Sequence, residues 1–218
     1  MNIFLILHKI LIWAIPVLFA ITVHEVAHGY VASLCGDQTA KMMGRLTLNP
    51  IKHIDLIGTI VVPAMMLLVS PFIFGWAKPV PVDWRNLKNP RMDMAKVAIA
   101  GPAVNIIMAI MWGGIARLGL MMDPNSYQAV VFSQMGMAGI QINVILAVLN
   151  VIPIPPLDGS RVLSSFLSPS AAFQYAKLEP YGFFILIGLM LTGILGKIMW
   201  PMVSFLVVFI ASLFGIGV

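Results

Sequence analysis

Long apolar runs alternate with short polar stretches along this chain, and the lengths of the runs decide its class. Apolar residues dominate from about Ile3 to Cys35, Leu56 to Trp76, Met94 to Met122, Ala129 to Ile152 and Tyr181 to Val218. A bilayer core about 30 Å thick takes roughly 20 helical residues, so runs of this length read as membrane segments. Lys197 and Pro201 interrupt the last run, which predicts two short passes with a turn between them. The pattern predicts an all-α polytopic membrane protein with five to six membrane helices, organised as one membrane-embedded unit over residues 1–218.

The second run departs from the pattern. It carries Gly58, Pro63 and Pro71 and leads into Phe74-Gly75-Trp76-Ala77-Lys78-Pro79-Val80-Pro81-Val82. Prolines at alternate positions cannot continue a helix, so Ala77, Lys78, Pro79, Val80, Pro81 and Val82 are expected to form a short extended strand at an edge. Residues 40–83 thus read as a re-entrant and strand region. It separates the helix of residues 3–35 from the helices of 94–159, and C-terminal helices follow over 160–218.

Composition agrees with a membrane location: 60% of residues are hydrophobic, 10% are charged, and the mean hydropathy is +0.98. The first 19 residues lack a basic start and a small-residue cleavage site, so they are not expected to be a removed signal peptide. A net charge of +5 would suggest nucleic acid in a soluble protein. Here the basic residues cluster between apolar segments and act as topology signals, so no nucleic-acid partner is expected. The single cysteine, Cys35, excludes an internal disulfide and is expected to pack.

The chemistry concentrates in His24-Glu25-Val26-Ala27-His28. Two imidazoles four residues apart share one face of a helix and can hold a single zinc ion, one per chain. Glu25, beside the first histidine, can act as general base without being a ligand. Histidines and a glutamate at lipid depth are costly unless they are paired or metal-bound. Two histidines leave a catalytic zinc one protein ligand short. Asp158, beside a helix end in Asn150-Val151-Ile152-Pro153-Ile154-Pro155-Pro156-Leu157-Asp158-Gly159, ranks above His53, Asp55 and Glu179 for that place. The three prolines before it predict a rigid loop. Asn105 and Asn143 read as interhelical hydrogen-bonding groups, with Gly101 permitting close packing. Asn150 reads equally as an oxyanion donor or substrate-positioning group.

Topology follows if Asp158 meets the two histidines. HEVAH lies near the C-terminal end of the first segment, and Asp158 lies just past the end of Ala129 to Ile152. The two ends share a membrane face only if Leu56 to Trp76 enters and returns. The basic residues Lys41, Arg45 and Lys52, and then Arg85, Lys88, Arg91 and Lys96, then fall together on the cytoplasmic side. A non-helical return at membrane depth must be buried or line a watery cavity, so Trp76 to Val82 is expected at the active site.

HEVAH, the Gly101-Pro102-Ala103-Val104-Asn105 start of a later helix, and Asn150 to Gly159 resemble, in order, the signature blocks of the site-2 protease family of intramembrane zinc metalloproteases. The resemblance implies zinc held by His24, His28 and Asp158, Glu25 as base, and a core of three helices opening to the cytoplasm. Beside it, Asn150 and Asn105 stand as candidate oxyanion or substrate-positioning residues. It likens Gly44 to Pro50 and Phe74 to Val82 to a membrane re-entrant segment and a substrate-facing strand. The expected substrate is a transmembrane protein in the lipid bilayer, and the expected location a prokaryotic plasma membrane. No PDZ or nucleotide-sensing domain is visible, which leaves open a homo-oligomer or a separate substrate-presenting protein. A metal transporter or channel and a catalytically silent zinc scaffold are the competing readings.

Overall fold

A computed structural model describes residues 3–62, 65 and 75–217 of the chain. Among them, four helices are long and apolar enough to cross a membrane. They are α1 (Ile3–Leu34), α2 (Pro90–Leu120), α3 (Tyr127–Val151) and α7 (Ile194–Leu213). Shorter helices stand between them: α4 (Asp158–Phe166), α5 (Pro169–Ala176) and α6 (Gly182–Leu191). At a rise of about 1.5 Å per residue, α6 spans about 15 Å, half of a bilayer core.

Helix ends follow local chemistry. Gly36, at φ +116°, closes α1 in a Schellman turn: its N–H donates to Ser33 O, and the Asp37 N–H donates to Ala32 O. Pro90 opens α2 where a helix needs no N–H, and the carboxylate of Asp93 accepts from the Asn89 N–H. Ser126 caps α3 by accepting from the Ala129 N–H.

Helices α1, α2 and α3 form the central bundle, with the most extensive packing between α2 and α3. Small residues allow that approach: a side chain at Gly136 would strike Ala116, and one at Gly139 would strike Trp112. Met108, Trp112, Ile140, Val144 and Val148 meet Val203, Val207 and Ile210 of α7 in the apolar core. Leu7, Phe19, Met111, Phe205 and Phe209 point outward, as a lipid-facing surface requires.

The chain leaves α1 and enters α2 at the same end of the bundle. The Lys88 N–H donates to Cys35 O, and the buried Asp37 carboxylate accepts from Thr39, Asn86 Nδ2 and the Asp83 N–H. Burial works against the ionised form of Asp37. The hydrogen bonds from Thr39, Asn86 and Asp83 outweigh it and hold the carboxyl below the usual carboxylate range.

The expected segments at Ile3 to Cys35, Met94 to Met122 and Ala129 to Ile152 correspond to α1, α2 and α3, with α2 beginning earlier, at Pro90. Three expectations are corrected. Gly101 to Asn105 lies in the middle of α2 and does not start a helix. The C-terminal break falls at Gly193, whose φ of +72° suits glycine, while Lys197 and Pro201 lie inside α7. Asp158 is the first residue of α4 and not part of the preceding loop. Four long apolar helices stand among the described residues, against the expected five to six membrane helices.

Leu56–Val61 forms one wide helical turn, and the middle of the expected re-entrant hairpin, residues 63, 64 and 66–74, lies outside the described residues. Residues 75–83 form no regular secondary structure, and no β-strand pairing forms among the described residues.

Candidate metal centre

Helix α1 places His24 and His28 on one face, with ring centroids 4.7 Å apart, and both are buried. Helix α3 ends at Val151, and the loop that follows returns Asp158 to the same depth. Tyr175 steadies that loop by donating its hydroxyl to Pro153 O at 2.8 Å. Asp158 Oδ2 lies 3.2 Å from His24 Nε2 and 3.2 Å from His28 Nε2, and the two Nε2 atoms are 3.0 Å apart.

The outer hydrogen bonds fix where the ring protons sit. Val97 O can only accept, so His28 Nδ1, 2.7 Å away, carries the proton. Asn105 Oδ1 accepts from His24 Nδ1 at 2.6 Å. With both rings neutral, each turns an Nε2 lone pair inward, toward a carboxylate oxygen that is buried and has no hydrogen-bond partner among the described residues. Three acceptor atoms converging without a proton repel one another unless a cation lies between them. Ligand atoms about 2.0–2.1 Å from a tetrahedral zinc would stand about 3.3 Å apart. The observed separations and the two-imidazole, one-carboxylate donor set thus fit zinc.

Gly101 of α2 makes the approach of these rings feasible. A Cβ there would lie 2.5 Å from His24 Cε1 and 2.5 Å from His28 Nε2.

These residues border a cavity of 740 Å³ that also takes in Glu25, Trp76, Val80 and Asn150. Glu25 Oε2 accepts from the Val80 N–H at 2.7 Å, so the segment of residues 75–83 is tied to the helix that bears the histidines. The Val80 N–H is thus taken up by Glu25. Along the same edge the Lys78 N–H donates to His53 O, and the buried Arg45 donates Nη2 to Lys78 O and Pro79 O. The backbone groups of Ala77 and Val82 have no such partners among the described residues.

The rivals for the third position lie elsewhere. His53 Nε2 bonds Thr47 O, Asp55 caps the turn at Leu56–Val61, and Glu179 faces Arg161 at 3.5 Å. Asn105 does not border the cavity but stands behind His24. Asn150 borders it, with one amide N–H donated back to Leu146 O at 3.0 Å. The tie between Val80 and Glu25 had no signal in the sequence, because its donor is a backbone group. Val97, which orients His28 through its carbonyl, was silent for the same reason. Arg161, which had no signal as a site residue, also borders the cavity, with its guanidinium 5.0 Å above the Trp84 ring.

The sequence model of peptidase family M50 matches residues 114–193, a stretch that holds Asn150 and Asp158 but not HEVAH. The candidate zinc metalloprotease YwhC of Bacillus subtilis (strain 168) is 40% identical over 194 residues, covering 87% of this chain and 84% of its own. The candidate zinc metalloprotease Rip2 of Mycolicibacterium smegmatis (strain ATCC 700084 / mc(2)155) is 30% identical over 181 residues, covering 83% of this chain and 66% of its own. No solved structure shows significant similarity to the chain. A relative as similar as YwhC over most of both chains, with the family match at the Asp158 end, places this chain in peptidase family M50, the site-2 proteases.

Proposed function

We propose that this protein is a zinc metalloendopeptidase that hydrolyses peptide bonds within or near transmembrane segments of membrane proteins. The observation that carries the reading is the convergence of His24 Nε2, His28 Nε2 and the partnerless Asp158 Oδ2 at 3.0–3.2 Å, beside a glutamate in one cavity of an apolar bundle. His24, His28 and Asp158 would hold the ion, which when bound supplies a Lewis acid that polarises a scissile carbonyl and acidifies a water.

The chain's own residues do the rest. Glu25 is the general base. Its Oε2 is held by the Val80 N–H, which leaves Oε1 to take the proton of the attacking water and pass it to the leaving amine. Asn150 has a second amide N–H to offer the substrate carbonyl. A transmembrane helix must unwind before its carbonyls can be attacked. The unpartnered backbone of Ala77 and Val82 supports pairing with the opened stretch, as an added strand pairs with an exposed edge.

The site end of the bundle carries Lys41, Arg45 and Lys52 on one approach, Arg85, Lys88 and Arg91 on another, and Arg161 and Lys177 beyond α3. This bias supports a cytoplasmic active site and a re-entrant Leu56 to Val82. Membership in a peptidase family favours hydrolysis over the transport reading.

The test is cleavage of a single-pass membrane protein by the purified full chain in detergent. Cleavage within the transmembrane segment, abolished by a chelator and restored by zinc, is expected. Cleavage that persists without metal contradicts the proposal. In the same assay Val80→Pro removes the N–H held by Glu25. It is expected to lower turnover about 10- to 100-fold, as loss of a hydrogen bond to a charged group does, with zinc content unchanged. Wild-type turnover in that variant would reduce the contact to packing.

A further inference from the structure

Two buried amides with no place in the cavity stand in line behind His24. Asn105 of α2 and Asn143 of α3 are both fully buried, and neither borders the cavity. We propose that Asn143 is a positioning residue for the metal centre, acting through Asn105 to determine which ring nitrogen of His24 carries the proton. The inference rests on the zinc site proposed above.

The polarity of the line is fixed at its far end. Gly139 O can only accept, so the Asn143 amide faces it with Nδ2 at 2.9 Å. That turns Asn143 Oδ1 toward Asn105, whose Nδ2 donates to it at 2.8 Å. Ala20 O, another pure acceptor, lies 3.3 Å from the same Nδ2 and agrees with this orientation, but the bond to Asn143 Oδ1 is the shorter. Asn105 Oδ1 is then the atom left for His24, and it accepts from Nδ1 at 2.6 Å. Nε2 keeps its lone pair for the ion. Turning the Asn105 amide over would set its NH₂ against His24 Nδ1–H. The ring would respond by moving its proton to Nε2, the atom that faces Asp158, where it blocks ligation. A pair of amides serving only to join α2 to α3 would need no such direction. Here every donor points away from the histidine and every acceptor toward it.

Zinc affinity, measured by chelator competition on the purified full chain in detergent, tests the line in Asn143→Leu and Asn143→Asp, with His24→Ala as the reference. Asn143→Leu removes the acceptor and is expected to weaken zinc binding 10- to 100-fold, the effect usual for partners of metal-ligating histidines. A neutral aspartic acid can donate to Gly139 O and accept from Asn105, so Asn143→Asp is expected to bind zinc close to the wild-type affinity. Nitrogen-15 histidine spectra of the metal-free protein provide a readout that lost packing would not move. His24 is expected to shift from Nδ1–H toward Nε2–H in the leucine variant and to stay Nδ1–H in the aspartate variant. Wild-type affinity in Asn143→Leu, weakened affinity with an unchanged His24 proton, or an aspartate variant as weak as the leucine variant overturns the proposal. Equal zinc binding by wild type and His24→Ala overturns the metal site itself.

Discussion

Glu25→Gln is expected to lower peptide cleavage by about 10²- to 10⁴-fold, the range lost with a general base, while the protein keeps one zinc per chain. Glu25 sits beside His24 on α1, yet its carboxylate is not among the clustered donors, which are His24, His28 and Asp158. It borders the same cavity and accepts from the Val80 N–H at 2.7 Å. Glutamine keeps the size of the side chain and an oxygen that can accept that bond. What it cannot do is take a proton from water. Initial rates on a single-pass substrate, alongside zinc content by atomic emission, separate the two roles. Loss of zinc in the variant would make Glu25 a ligand and leave the base unassigned.

Gly101→Ala should empty the metal site without touching a ligand. The added Cβ would stand 2.5 Å from His24 Cε1 and His28 Nε2 and 2.6 Å from His24 Nε2, closer than side-chain carbons approach real neighbours. These are ring atoms of two buried residues on a packed helix, with little room to give. Both imidazoles must swing away from Asp158. Zinc affinity is expected to fall by at least about 10- to 100-fold, with helical content by circular dichroism close to wild type. Full zinc occupancy in a folded Gly101→Ala protein would show that the rings do not rest against α2 as described.

The three central helices were legible because their apolar runs are long enough to cross a bilayer. HEVAH was legible because a helix converts a spacing of four residues into one face. Asp158 was singled out because two histidines leave a catalytic zinc one protein ligand short and this carboxylate stands beside a helix end, and the topology followed from that pairing. What stayed hidden depends on how helices face one another, which a single run does not encode. Asn105 and Asn143 stood out as polar groups in apolar segments, but nothing in either segment told that one amide orients the other and that both end on His24. The prolines marked residues 77–82 as non-helical, yet the direction of the Val80 N–H follows from how residues 75–83 dock against α1. The C-terminal break was sought at Lys197 and Pro201, whereas Gly193 takes the left-handed turn and Pro201 lies inside α7, as prolines in membrane helices can.

X-ray absorption at the zinc edge of the purified protein tests the central claim most directly, because it counts and identifies the atoms around the ion. The account predicts two imidazole nitrogens and one carboxylate oxygen, from His24, His28 and Asp158, plus one exchangeable oxygen, with an imidazole contribution that falls in His28→Ala. Four protein ligands with no exchangeable position would mean a closed structural site. A spectrum unchanged by His28→Ala and Asp158→Asn would place the metal elsewhere and contradict the account.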